Sequence, residues 1–459
     1  MPWTQIELAA AELGNADESA LRGQTAAHEN CYVSDAKSLT RFPGLRSFLS
    51  TGGTTDLVLA NFRDDMVAVD RGGQVYRIRQ DGTFENVTGV PMIGTGRPVF
   101  AETESELLIA AGGPVIRLAG EKTDLLANAP ETTHIAYISG YVVAIEAGSG
   151  RFRHSKPGQY DKWDALDTFA AEGKPDNLVA AMVSPFNELL LVGSESIEQF
   201  DLSGSATRPF FRRWMIGDGV SAPYTLVAAD NGIWGVNNDR EFVTFRGQDA
   251  VPSSEAIQAS LEAIDNWDEA WAAHLIINGQ RMMLLQAPRA TNRYGTQGIT
   301  LILDYRKRRW ASLFGWDEGR SIQSGWPGRS YLKLWDRHFV GGQGMVWELD
   351  ADTFTAGGMR LPVLYRSGHL DRTGGGIWSP RARIRMKRGG GGTLSIRVRK
   401  DGKPFGRWRR IPLGRTGQTR QWIEFGGWGE ADSLQFEFLV TDAVAFDVLD
   451  FQIETIGIE

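Results

Sequence analysis

Short apolar or alternating runs, each closed by Gly, Ser or Asp, recur along most of this 459-residue chain. In residues 187–213, NELLLVGSESIEQFDLSGSATRPFFRR, the apolar run 189–192 stops at Gly193. A second run, 197–202, alternates apolar and polar, and Gly204-Ser205 then separate it from an aromatic and basic run. Period-two alternation bounded by Gly and Ser predicts β-hairpins. The same layout begins at Thr54, where 57–60, 66–70, 74–79 and 84–87 read as four short strands. Comparable sets occupy 98–126, 134–169, 177–213, 224–246, 275–313 and 322–349. A spacing of roughly forty residues per set is that of propeller blades. The expected fold is therefore all-β: a β-propeller of about seven blades over 51–355, with six blades as the alternative. The sets share little sequence, so two packed sandwiches fit the same spacing.

Three stretches depart from the blade pattern. Residues 1–50 alternate little after Ile6 and Leu8, and Arg41-Phe42-Pro43-Gly44-Leu45 carries a turn signal. They are expected to form an extended N-terminal arm, laid across the next domain or on another subunit. A short helix is expected near 254–272, where Ser253-Ser254-Glu255 offers a cap and Ile257, Leu261, Ile264 and Trp267 stand three or four apart. From 356 to 459 the composition changes, with Gly357-Gly358 and the glycine run 389–392 punctuating strongly alternating segments. In 381–387, RARIRMK, basic and apolar residues point to opposite sides of a strand. Residues 395–399, 422–425, 434–440 and 446–453 also read as strands, which predicts a small C-terminal antiparallel β-sandwich.

Composition supports a turn-rich globular protein, with 42% apolar residues, 23% charged residues, 54 Gly and 15 Trp. Cys31 is the only cysteine, which excludes an internal disulfide. The N-terminus has no basic segment leading into an apolar core, and no apolar stretch approaches the length of a membrane span. The expectation is a protein made in the cytoplasm without stable membrane insertion.

Candidate chemistry is sparse. His28, His134, His154, His274, His338 and His369 are scattered, without the spacing of a zinc site. Gly193-Ser194-Glu195-Ser196 leads into a strand rather than a helix, and no P-loop is present. The carboxylate pairs Asp64-Asp65, Asp161 with Asp164, Glu195 with Glu198, and Asp265 with Asp268 and Glu269 are what a chain with 56 acids contains by chance. No catalytic, cofactor or metal residues are assigned. A propeller enzyme or binding protein acting on carbohydrate is the alternative reading, with Trp316, Trp326 and Trp335 as sugar-stacking candidates. The net charge of −7 hides a local contrast: residues 360–420 hold 17 Arg or Lys against two acids, Asp371 and Asp401. Trp378, Trp408 and Trp422 lie in or beside this stretch. Such a field suits an acidic protein surface or phosphates, and the residues assigned to it are Arg381, Arg383, Arg385, Lys387, Arg397, Arg399, Arg407, Arg409 and Arg410.

Three segments resemble the packaged-DNA stabilisation proteins of short-tailed bacteriophages, which form the tail hub or nozzle. They are Asn30-Cys31-Tyr32-Val33 leading to Leu39-Thr40-Arg41-Phe42-Pro43-Gly44-Leu45, residues 187–200 with Gly193-Ser194 and Ile197-Glu198-Gln199-Phe200, and the order helix, 284–288, 301–305, Trp310. The resemblance implies a structural virion protein of the tail. It implies a ring, by analogy a hexamer, below the portal and its adaptor. That ring would extend the DNA channel and retain packaged DNA until ejection. Its implied partners are further copies of itself, portal and adaptor proteins, other tail proteins such as fibres, spikes or needle, and DNA in the lumen. The family carries no active site.

Overall fold

A computed structural model describes residues 3–6, 8, 27–171, 174, 176–205, 208–371, 377–387, 391–414, 421–429 and 431–456. Among the described residues, seven antiparallel blades follow one another in chain order. The first five are independent four-stranded sheets, running from Leu57–Phe62 at the start of the first to Asp249–Pro252 at the end of the fifth. The sixth blade is Trp271–Ile277, Gln280–Thr291, Gln297–Asp304 and Arg309–Asp317. In the seventh, Ser330–Leu334, Arg337–Gly341 and Met345–Asp350 are joined by Gly44–Ser50 from the other end of the chain.

Blades have two buried faces, and that explains the apolar runs. Leu189 and Leu191 point into the core shared with the third blade, while Leu190 and Val192 point into the core shared with the fifth. Each of the seven gaps between neighbouring blades has its own apolar cluster, including one that joins the seventh blade to the first through Leu57, Met66, Phe339 and Val346. The ring is thus closed.

The strand Gly44–Ser50 is the closure. It is antiparallel to Met345–Asp350, and a Cβ on Gly44 would stand 2.3 Å from the carbonyl oxygen of Thr353, so only glycine fits. Arg46 on this strand bonds Glu348 at 2.8 Å, and Arg337 bonds the same carboxylate. The Arg337 hydrogen bond is the main reason that the Glu348 pKa falls from 4.5 to about 2. A depressed carboxylate pKa contributes stability that is complete above the unfolded-state value and lost as pH drops through the folded one. Thermal melts should therefore show wild type more stable than Glu348→Gln at about pH 6, with the gap shrinking towards about pH 3. A gap independent of pH would contradict this role for Glu348.

Most of the remaining strands form a two-sheet sandwich. One sheet contains Cys31–Val33, Leu39–Arg41, Asp447–Ile456, Ile377–Lys387 and Gln421–Gly426, with Trp3–Gln5 also paired to Asp447–Ile456. The other contains Val363–Arg366, Ser433–Val440, Thr393–Lys400 and Arg409–Pro412. Ala27–Glu29 links this second sheet to the sixth blade, antiparallel to Val363–Arg366 and parallel to Arg309–Asp317, so one continuous sheet runs from propeller to sandwich.

Two expectations need correction. Residues 27–50 are not a strap laid over the surface but strands of both domains, because Ala27–Glu29, Leu39–Arg41 and Gly44–Ser50 pair with strands some three to four hundred residues away in sequence. The helix over 254–272 is much shorter: a 3-10 turn, Glu255–Ile257, and one α segment, Gln258–Glu262. Ile257, Leu261 and Ile264 do face a core, between blades five and six. Ser254, however, uses its hydroxyl to accept from the Phe242 amide rather than to cap the helix, and Trp271–Ile277 is claimed by its pairing with Gln280–Gln286 of the next strand.

Candidate functional site

The basic residues of the sandwich alternate with its core. Ala382, Ile384 and Met386 point inward, so Arg381, Arg383 and Arg385 form a row on the outer face of the first sheet. The neighbouring strand supplies their partners. Arg381 pairs with Glu454 at 2.6 Å, Arg383 donates to Gln452 at 2.7 Å, and Arg385 pairs with Asp450 at 2.6 Å. Arg383 also lies between the rings of Trp3 and Trp422, 4.1 and 4.4 Å from their centres.

Leu394, Ile396 and Val398 likewise point inward from the second sheet, which puts Arg397 and Arg399 on that sheet's outer face. Glu437 is completely buried there between two guanidinium groups, with Arg366 at 2.5 Å on one carboxylate oxygen and Arg397 on the other. Segment 401–408 folds over this row: Phe405 lies against Arg366, Arg397 and Arg399, and Trp408 against Arg397. Burial, with Arg366 and Arg397 close by, lowers the pKa of Arg399.

The nine assigned residues therefore do not make one basic face. Two rows look out from opposite sides of the sandwich, and both are heavily engaged within the domain. Arg409 donates to the Gly426 and Gly427 carbonyls and stacks on Trp428, tying the second sheet to the first. Arg407 and Arg410 are exposed. The Lys387 backbone pairs with Asp447, while its side chain and that of Trp378 lie outside the described residues. Of the tryptophans considered for sugar stacking, Trp326 is fully buried between blades six and seven, and Trp335 donates its indole N–H to the Asp64 carbonyl.

Sequence reading missed the polar centre of the propeller. In Val220–Ala229 the pairing with Gly232–Asn237 breaks between Ala222 and Val227, and Tyr224 leaves the sheet there. Its ring stacks on His134 from the third blade, and its hydroxyl accepts from the Arg97 amide of the second. Arg97 in turn lies 5.0 Å over Trp271 of the sixth. Residues from opposite sides of the ring thus meet across the axis, in a plug of contacting side chains at this end. Burial brings the pKa of Arg97 down to about 10 and that of His134 to about 4, so at neutral pH the plug holds a charged guanidinium and a neutral imidazole. The only sequence signal was an ordinary Pro223-Tyr224 inside a strand-like run.

Among solved structures, the WD40 β-propeller domain of Doa1 aligns at 13% identity over 67% of this chain and 97% of its own, with a TM-score of 0.40. The computationally designed Ika8 protein aligns at 12% identity over 66% and 99%, with a TM-score of 0.37. Virginiamycin B lyase from Staphylococcus aureus aligns at 9% identity over 64% and 94%, with a TM-score of 0.38. No curated protein sequence matches. The family described as bacteriophage P22 Gp10, beta-propeller, matches residues 29–354. That span runs from the strand joining propeller and sandwich, through the closing strand, to just beyond the seventh blade. The chain belongs to this family of phage DNA-stabilisation proteins.

Proposed function

We propose that the chain builds the hub or nozzle of a short phage tail. About six copies would form a ring below the portal and adaptor, holding packaged DNA until ejection and meeting fibres, spikes or a needle around it. The observation that carries this reading is the family match across the whole propeller. The plug of Tyr224, Arg97, His134 and Trp271 supports a further detail: DNA would pass through the lumen between subunits, not along a propeller axis. Cyclic rings use heterologous contacts, and a molecule with a propeller at one end and a sandwich at the other offers two different surfaces.

Within this reading the row of Arg381, Arg383 and Arg385 docks on an acidic surface of an adjoining tail protein. The test is quantitative mass spectrometry of purified particles, with and without Ser at all three positions. About six copies per portal ring are expected in wild type, and fewer, in a salt-sensitive manner, in the variant. Absence of the wild-type chain from particles would remove the tail reading. An unchanged copy number in the variant would remove the docking role of the row.

A further inference from the structure

A polar cavity of about 320 Å³ opens between the sixth, seventh and first blades. Antiparallel connection gathers its residues at one end of the propeller. Asp56, Glu269 and Arg329 come just before the first strands of their blades, whereas Arg71, Arg289 and Gln343 lie beyond the core pairing of the second strands. Glu269 is gripped by Arg71 at 2.5 Å and Arg289 at 3.0 Å, and Asp56 faces Arg329 at 3.5 Å. Arg97 lies near both acids from the axial plug, and Asp268 acts on Arg289 from outside the wall. Four guanidinium groups thus stand against three carboxylates, an excess of one positive charge.

We propose that this cavity receives one carboxylate side chain, carried on a peptide segment of a neighbouring protein. Three observations select that occupant. A single carboxylate balances the excess charge, where a phosphate dianion would overshoot it. Arginine forks are suited to carboxylate oxygens, and Arg289 is half exposed at the wall, with room to turn towards a newcomer. Asp56 Oδ1 is buried without a hydrogen-bond donor, and a peptide N–H supplies one that a free anion lacks. A duplex, with its phosphates strung along a convex backbone, does not enter a concavity of this size. The site goes beyond the tail reading and does not depend on it.

Calorimetric titration of the full chain with the blocked peptide acetyl-Ala-Glu-Ala-amide tests the assignment, with acetyl-Ala-Gln-Ala-amide and inorganic phosphate as comparisons. The Glu peptide should give a one-site isotherm, weakened roughly tenfold by Arg289→Gln. Binding should be lost in Thr54→Trp, which fills the rim of the cavity and keeps every charge. No saturable heat with the Glu peptide, equal binding of the Gln peptide, or unchanged affinity in Thr54→Trp would overturn the site. Phosphate binding tighter than that of the Glu peptide would overturn the choice of a carboxylate.

Discussion

Replacing Glu437 by Gln is expected to destabilise the sandwich by about 3 kcal/mol, seen as a lower midpoint in chemical unfolding followed by near-UV circular dichroism. The carboxylate is fully buried and shared by Arg366 and Arg397, whose strands flank its own. Gln keeps the shape and leaves one acceptor for two cations. Part of the loss is recovered because Arg397 is still partly open to water, which keeps the figure below that of a deeply buried pair. The penalty comes from unbalanced charge rather than from a missing bond. The triple replacement Arg366→Met, Glu437→Leu, Arg397→Met should therefore regain most of it. If the triple variant is no more stable than Glu437→Gln, the charge argument fails.

Arg41→Met is expected to cost about 3–5 kcal/mol and to expose the linker between propeller and sandwich to protease. Arg41 lies on a sandwich strand, two residues before Pro43 and three before the closing strand of the seventh blade. Its guanidinium donates to the carbonyls of Asp442 at 3.1 Å, Val444 at 2.6 Å, Phe354 at 3.2 Å and Leu361. These acceptors belong to the linker after the seventh blade and to a turn of the sandwich. Burial lowers the pKa of Arg41 to about 10, which still leaves it protonated at neutral pH. Met fills much of the space but satisfies none of the four carbonyls, and unpaired buried carbonyls are costly. Limited proteolysis followed by mass spectrometry should show cleavage within 351–362 appearing in the variant under conditions where wild type resists. Equal resistance would mean that the junction is held by the shared sheet alone.

Arg41 belongs to one of the segments that resembled the family, and so does Asn30. The Asn30 amide donates to the carbonyls of Phe314 and Pro362 and its oxygen accepts from the Phe314 amide, which joins the sixth blade to the start of the sandwich. Asn30 adopts φ of 53°, a conformation that Asn tolerates better than most residues. Residues that looked like features of an arm are the fasteners between the two domains. Their chemistry was visible in the sequence, but their partners were not.

The legible part of this protein is the part set by near neighbours. Alternation along 197–202 and the turn at Gly193 to Ser196 predict strands that do pair, Leu189–Gly193 with Ile197–Leu202, because side-chain period and turn geometry act within a few residues. Repeating that unit at blade spacing fitted a propeller or two packed sandwiches, and the closed ring decides for the propeller. The inward apolar positions of Ile377–Lys387 and Thr393–Lys400 were enough for the C-terminal sandwich. The alternation of Arg381 to Lys387 also showed that arginines would leave the core on one side. It could not show which way each sheet would turn, so two rows on opposite faces read as one basic field.

Pairing between distant strands runs largely through backbone hydrogen bonds, which carry little mark of side-chain identity. Nothing local therefore reveals that Gly44–Ser50 completes a blade with Met345–Asp350, or that Ala27–Glu29 extends the sixth blade into the sandwich. The same holds for the centre of the ring. Tyr224, Arg97, His134 and Trp271 are scattered in sequence, and only closure of seven blades around an axis brings them, and the charged cavity beside them, together. Strands, their repeat and the family are thus legible along the chain, whereas the closure, the junction and the sites arise only on folding, because each depends on contacts between residues far apart in sequence.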